Sequence, residues 1–351
     1  MGICFLKNYM CPFFDAEDII CLQIRKVMIT FVAMKDEKMI KGRFAPSPSG
    51  RMHLGNVYAA MLSWLSAKSR GGTWLLRIED LDPQRCKREY ALQLEDDLRW
   101  LGMDWDEGGT ENRGNLGPYS QSERSYIYKV YLDKLKAKGL TYPCVCTRAD
   151  ILATQAPHES DGRVVYKGTC RPVRLGGCCE CDYSDVSSAT RLFVPDKEIT
   201  FVDGHYGEQN VNLATNCGDF ILQRKDGAWA YQLAVVVDDA LMGVTEVVRG
   251  RDLLLSVPQQ LYLYDVLGFE APKFWHLPLL CNEVGQRLSK RDKSLDMGVI
   301  REKYTAEEVI GWLACQAGIT DKAEAVSLEE LLPLFSWEKV PHEVAPLSQT
   351  L

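Results

Sequence analysis

The sequence predicts an α/β fold built on a parallel sheet, and three observations carry that prediction. A short apolar strand at Lys41–Ala45 is followed by a helix at Leu54–Ser69 and a second apolar strand at Thr73–Ile78. This strand–helix–strand order is the unit of nucleotide-binding sheets. The acidic stretch Glu79-Asp80-Leu81-Asp82-Pro83 then leaves the second strand at its carboxyl end, where such sheets collect ligands. Far downstream, Tyr231–Asp239 and Val244–Arg249 are apolar runs that read as strands returning to the sheet.

The remaining elements follow in order. In the first helix Leu54, Val57, Tyr58, Met61, Leu62 and Leu65 recur at helical spacing, and Gly71-Gly72 stops it. Lys87–Leu101 is a second helix with Tyr90, Leu94, Leu98 and Leu101 on one face, ended by Gly102. Ser122–Lys138 is a third, with Ser122 as its expected N-cap. A cysteine-rich insertion covers Tyr142 to about Asp182, and alternating apolar pieces from Ala189 to Tyr231 read as short strands. Asp252–Leu267, Thr305–Ala317 and Leu328–Phe335 complete the helices. The chain divides into an extension at 1–40 outside the fold, a first half of the parallel-sheet domain at 41–141, and an insertion at 142–230. A second half at 231–285 and a helical region at 286–351 complete it.

A chain of 351 residues suggests about two domains, and 46% apolar content is enough for a real core. The net charge of −7 excludes a general polycation, so a nucleic-acid partner would meet a local basic face. Arg85, Lys87, Arg88, Arg124, Lys129, Lys134, Lys136 and Lys138 are the candidate cations. Thirteen cysteines, an odd number with no export signal, point to a reducing cytoplasm. No apolar run reaches the roughly 20 residues of a membrane span.

Chemistry concentrates in three places. The stretch Gly42-Arg43-Phe44-Ala45-Pro46-Ser47-Pro48-Ser49-Gly50-Arg51-Met52-His53-Leu54-Gly55-Asn56 runs from strand to stiffened loop to helix start, a setting that favours anions. Downstream, Gln286-Arg287-Leu288-Ser289-Lys290-Arg291-Asp292 is a basic loop suited to a leaving triphosphate. Between them, Cys144-Val145-Cys146 and Tyr166-Lys167-Gly168-Thr169-Cys170 offer three thiolates to a tetrahedral metal such as zinc. The fourth ligand stays open among Tyr166, His158, Cys178, Cys179 and Cys181.

The first two motifs resemble the "HIGH" and "KMSKS" signatures of class I aminoacyl-tRNA synthetases, in the glutamate-activating form. That resemblance implies a class I synthetase Rossmann-like fold with ATP and Mg²⁺ as substrates. His53, Asn56 and Lys290 would be catalytic, and Gly55, Arg287, Leu288, Ser289 and Arg291 would join them around ATP. It further implies that Arg43, Ala45, Ser47, Glu79, Tyr231 and Arg249 bind L-glutamate. Two arginines suit carboxylates and Glu79 suits an ammonium. All four charged or phenolic positions read as strand edges.

The pattern Cys-x-Cys…Tyr-x-x-x-Cys resembles the zinc site of the truncated glutamyl-Q tRNA(Asp) synthetase branch. There the tyrosine oxygen is a ligand, which would make the set Cys144, Cys146, Tyr166 and Cys170 around one structural Zn²⁺. About sixty residues follow Lys290, which leaves room for short stem-contact helices and not for a large anticodon-binding region. The implied partner is the anticodon stem-loop of tRNA(Asp) carrying queuosine. Tyr119, Tyr126, Tyr206 and Trp229 are candidates to stack its bases. Val235, where tRNA-charging relatives often carry asparagine, suggests a different polar lining. The alternatives are a minimal synthetase that charges a tRNA 3′ end and a silent RNA-binding module.

Overall fold

A computed structural model describes residues 39–147, 149–150, 165–179, 186–281 and 296–343. The expectations for the extension at 1–40 fall almost wholly outside these residues, as do those for His158, Cys181 and the whole loop Arg287–Arg291.

The strands and helices in chain order are β1 Lys41–Phe44, α1 Leu54–Lys68, β2 Thr73–Leu76, α2 Arg88–Trp100, β3 Glu107–Gly108 and α3 Ser125–Ala137. The insertion supplies β4 Thr141–Cys144, β5 Ala189–Leu192, β6 Glu198–Asp203, β7 Gly207–Asn212 and β8 Phe220–Gln223. Then come α4 Tyr231–Leu241, β9 Glu246–Gly250, α5 Val257–Leu267, β10 Lys273–Leu277, α6 Met297–Ile300, α7 Ala306–Gln316 and α8 Leu328–Leu331.

Five strands form one parallel sheet in the order β10-β9-β1-β2-β3. Its strands are short, and side chains from both of its faces enter the core. Successive residues point to opposite layers. Phe44, Trp74, Leu76 and Val248 pack with α1 and the C-terminal helices. Leu75, Val247 and Phe274 pack with α3, α4 and α5. The insertion adds an antiparallel sheet β4-β5-β8 and the hairpin β6-β7. Capping boxes at Thr305/Glu308 and Ser327/Glu330 start α7 and α8. Trp337, further on, stacks on Trp275 of β10 at 4.5 Å.

Three expectations are corrected. Tyr231–Asp239 is the helix α4, not a strand. Its segment Leu233–Asp239 is buried throughout; a helix buried on every side loses the polar face that reveals a 3.6-residue period, and its Val235-Val236-Val237 run mimics a strand. Ser122 does not cap α3. It lies inside a short 3₁₀ turn, Gln121–Arg124, and its hydroxyl and amide bond Asp80 at 2.6 and 2.8 Å. Arg124 is no surface cation: it is buried, with Nε donating to Asp238 Oδ1 at 2.6 Å.

Candidate active site

The loop after β1 is held by its backbone. Arg77 N–H donates to the Phe44 carbonyl at 3.0 Å, Glu79 N–H to Pro46 at 3.0 Å and Lys87 N–H to Pro48 at 3.1 Å. Gly50 takes a φ of 147° there, which a side chain would oppose. At the end of the loop His53 and Asn56 build a capping box on α1. His53 Nδ1 accepts from Gly55 N–H at 3.1 Å, and Asn56 Oδ1 accepts from His53 N–H at 3.2 Å. One function of the histidine and asparagine is thus to fix the helix start itself.

All six residues expected at the amino acid line one cavity of about 380 Å³: Arg43, Ala45, Ser47, Glu79, Tyr231 and Arg249. Arg43 is buried in β1 with Nε 3.4 Å from Asp239 Oδ1. Glu79 accepts from Arg77 Nη2 at 3.0 Å. Tyr231 is the first residue of α4 rather than a strand edge, and its hydroxyl accepts from Arg249 Nη1 at 3.3 Å. Arg249 Nε donates to His276 Nε2 at 3.0 Å, and Nη2 donates to the Leu253 carbonyl at 3.2 Å.

The electrostatics are set by burial against paired charge. Burial lifts the Glu79 carboxyl above its ordinary range, although Arg77 and Arg43 pull it down. At Asp239 burial also acts upward, but Arg77 and Arg43 outweigh it and hold the carboxyl low. Burial lowers the Arg249 guanidinium and raises the Tyr231 phenol. Arg249 remains a cation at neutral pH, since an arginine starts near 12.5.

A second cavity of about 140 Å³ shares Asn56 and Leu253 with the first. His53, Gly55, Gly250 and the turn Pro278–Leu280 line it. A third, about 510 Å³, shares Ser47, Ser49, Glu79 and Tyr231 with the first and is bordered by Asp82, Arg85, Gln121, Arg224 and Trp229. Among the stacking candidates, Tyr119 is fully buried with its hydroxyl accepting from Leu116 N–H, so it cannot meet a base. Tyr206 donates to the His342 carbonyl at 2.7 Å, and Tyr126 is exposed. Val235 is buried in the α4 core and lines none of these three cavities, contrary to the expected lining role.

Sequence reasoning assigned no function to the charges behind the cavity: Arg77, Asp238, Asp239, Asp203 and His276. The signal was present for three of them. Arg77 interrupts the apolar run Trp-Leu-Leu-Arg-Ile, and the two aspartates end an apolar helix; charges inside buried segments are paired or functional.

In the insertion, the sulfurs of Cys144, Cys146 and Cys170 lie within 4.8 Å of one another. Cys146 and Cys170 are 3.5 Å apart. Tyr166 Oη is 3.5 Å from Cys144 Sγ and 3.8 Å from Cys146 Sγ, and it accepts from Cys170 N–H at 2.6 Å. A tetrahedron with Zn–S near 2.3 Å has S···S edges of about 3.8 Å, so four such donors fit one ion. Among the described residues Cys178 and Cys179 stand outside this cluster. Next to Cys170, Arg171 donates from Nε and Nη2 to the Asp219 carboxylate at 2.8 and 2.9 Å, and that carboxylate also accepts from Val194 N–H at 2.8 Å.

Residues 39–349 match the family model for class I tRNA synthetases (E and Q), catalytic domain. The glutamyl-Q tRNA(Asp) synthetase of Nitratidesulfovibrio vulgaris is 48% identical over 305 residues, covering 86% of this chain and 94% of that protein. A glutamate–tRNA ligase of a Sulfurihydrogenibium species is 37% identical over 315 residues, covering 89% of this chain but 66% of that protein. A crystal structure of a glutamate tRNA ligase from Elizabethkingia meningosepticum, in complex with its amino acid, superposes with a TM-score of 0.74. It is 30% identical and covers 89% of this chain and 67% of that one. The chain belongs to the class I glutamyl and glutaminyl tRNA synthetases, and within them to the glutamyl-Q tRNA(Asp) synthetase family. It is a ligase of that class. Among the described residues, no helix is long and apolar enough to cross a membrane.

Proposed function

We propose that the chain activates L-glutamate with ATP and passes the glutamyl group to a hydroxyl of the queuosine base in the anticodon loop of tRNA(Asp). In the first step a glutamate carboxylate oxygen attacks the α-phosphorus. The bond to the bridging oxygen breaks, pyrophosphate leaves with Mg²⁺, and a glutamyl-adenylate mixed anhydride remains. In the second step the nucleoside hydroxyl attacks the anhydride carbonyl and AMP leaves. No protein nucleophile is needed, so positioning and charge neutralisation supply the rate.

The observation that carries the reading is the joining of two cavities through Asn56 and Leu253. One presents Arg43, Arg249, Tyr231 and Glu79, a set matched to two carboxylates and one ammonium. The other is bounded by His53 and Gly55 at the start of a 15-residue helix, suited to the nucleotide. A carboxylate in the first thus faces a phosphate in the second. The third cavity, opening past Ser47 and Tyr231 onto Arg85, Arg224 and Trp229, is the approach for the RNA. Lys290 and its neighbours would draw the departing pyrophosphate. Cys144, Cys146, Tyr166 and Cys170 would hold a structural Zn²⁺ that pins the insertion loop and takes no part in catalysis.

The identity pattern supports the modified-base acceptor over a 3′ end, since the 48% relative is a glutamyl-Q enzyme and the 37% relative a glutamate–tRNA ligase. The test is transfer of radiolabelled glutamate to tRNA(Asp) with and without queuosine, after glutamate-dependent ATP–pyrophosphate exchange has been measured without RNA. Exchange without RNA, and label only on queuosine-bearing tRNA, is expected. Label on the 3′-terminal adenosine would overturn the assignment.

A further inference from the structure

We propose that the buried pair His276–Asp203 is a positioning device for Arg249, aiming its guanidinium into the amino-acid cavity through a single imidazole tautomer. The inference rests on the proposed reading of Arg249 as a glutamate ligand. It adds two residues, one of them from the insertion hairpin, to the determinants of glutamate affinity.

Asp203 ends β6, where the hairpin turns. Its Oδ1 accepts three backbone N–H groups: His205 at 3.1 Å, Tyr206 at 2.9 Å and His276 at 3.3 Å. Its Oδ2 lies 2.6 Å from His276 Nδ1. A carboxylate can only accept, so Nδ1 carries the proton. The opposite nitrogen, Nε2, then offers a lone pair, and it sits 3.0 Å from Arg249 Nε, which can only donate. The ring is matched at both ends, and neither His276 nor Asp203 is open to water that could replace a lost partner.

Arg249 is held differently from Arg77 and Arg124, two other buried arginines. Arg77 and Arg124 are each locked by carboxylates at 2.6 Å. The groups that hold Arg249 are neutral: an imidazole nitrogen, the Tyr231 hydroxyl and the Leu253 carbonyl. A neutral cradle orients the guanidinium and leaves its charge for an incoming carboxylate. Asp203 contributes at one remove, setting the tautomer without quenching the cation. Burial lowers the His276 pKa against the pull of Asp203, which keeps the ring neutral beside Arg249.

Asp203→Asn tests the device at constant shape. The three N–H groups demand an oxygen at the Oδ1 position, so the amide nitrogen must face His276 Nδ1 and donate to it. The ring proton moves to Nε2 and opposes the Arg249 N–H. In ATP–pyrophosphate exchange without RNA, the KM for glutamate is expected to rise roughly tenfold or more, the scale of one charge-assisted hydrogen bond. The KM for ATP should stay within about twofold and the unfolding transition should remain cooperative. His276→Gln, whose amide oxygen can reach the Nε2 position, should lie between wild type and His276→Phe. It carries the same test should Asp203→Asn fail to fold. A folded variant with unchanged glutamate KM, or with both KM values rising together, overturns the proposal. Arg249→Ala separates the two readings: if it leaves the glutamate KM unchanged, the glutamate reading of the cavity is what fails; if it raises that KM and Asp203→Asn does not, only the positioning pair fails.

Discussion

Arg77 and Glu79, two residues apart where the second strand runs out into the loop, are joined by a 3.0 Å hydrogen bond from Nη2 to Oε1. Arg77 is fully buried and also serves two acids of α4, with Nη1 2.6 Å from Asp239 Oδ1 and Nε 4.0 Å from Asp238 Oδ2. One cation thus ties the sheet, the cavity carboxylate and the helix that carries Tyr231.

Replacing Arg77 by methionine leaves three carboxyl groups in the interior without their common partner. Breaking a buried pair from one side costs about 3–5 kcal/mol. Arg77→Met should therefore lower the urea midpoint by an amount equivalent to about 3 kcal/mol or more, with little change in slope. Arg77→Met with wild-type stability would mean that these acids are adequately served by Arg43 and Arg124.

The raised Glu79 pKa makes a signed prediction. In stability, a carboxyl with a folded pKa above its unfolded one favours the fold at acid pH, and that contribution is lost as pH rises through the folded pKa. In binding, the ammonium of glutamate needs the ionised form. The glutamate KM should therefore climb as pH falls through the raised Glu79 pKa, starting above the ordinary value of 4.5. Glu79→Gln should raise the KM at neutral pH toward the value the wild type reaches in acid, and flatten that acid limb. A limb that survives in Glu79→Gln assigns it to another group.

How legible was this in the sequence? The strands β1, β2 and β9 and the helices α1, α2 and α7 were, because each carries a period or a stop signal of its own. The six residues expected at the amino acid line one cavity, and all but Tyr231 lie at or just past the carboxyl ends of parallel strands, which converge there. Tyr231–Asp239 was not legible, because an all-buried helix has no visible face. His276 and Asp203 are separated by 73 residues and bond across two sheets. No local pattern announces such a pair, and only the topology that lays the hairpin β6-β7 beside β10 brings it together.

The thiolate cluster predicts one zinc per chain in metal analysis of the purified protein. With no ion bound, burial and the neighbouring Cys170 push the Cys146 thiol up to about 12. A thiol that resists ionisation so strongly needs a cation before it becomes a ligand. Zinc uptake should accordingly release protons, measurable in weakly buffered solution. Tyr166→Phe should weaken zinc retention against a chelator while leaving glutamate-dependent exchange intact, since the cluster is a scaffold. Purified protein free of zinc would remove the metal from the reading, and loss of exchange in a folded Tyr166→Phe would give the insertion a direct catalytic role.

Lys290 gives the sharpest kinetic prediction from a loop read by sequence alone. The charge it would meet is not that of bound ATP but the extra charge gathering on pyrophosphate as the bond to the α-phosphorus breaks. Losing an interaction realised only at that stage lowers kcat and kcat/KM together and leaves KM nearly unmoved. Removing one group of this kind costs on the order of 10²–10³ in rate. Lys290→Ala should therefore slow ATP–pyrophosphate exchange by about that factor, with the glutamate KM and the thermal transition close to wild type. A large rise in the ATP KM with kcat preserved would make Lys290 a binder of ground-state triphosphate instead, and an unchanged exchange rate would remove the loop from the reaction.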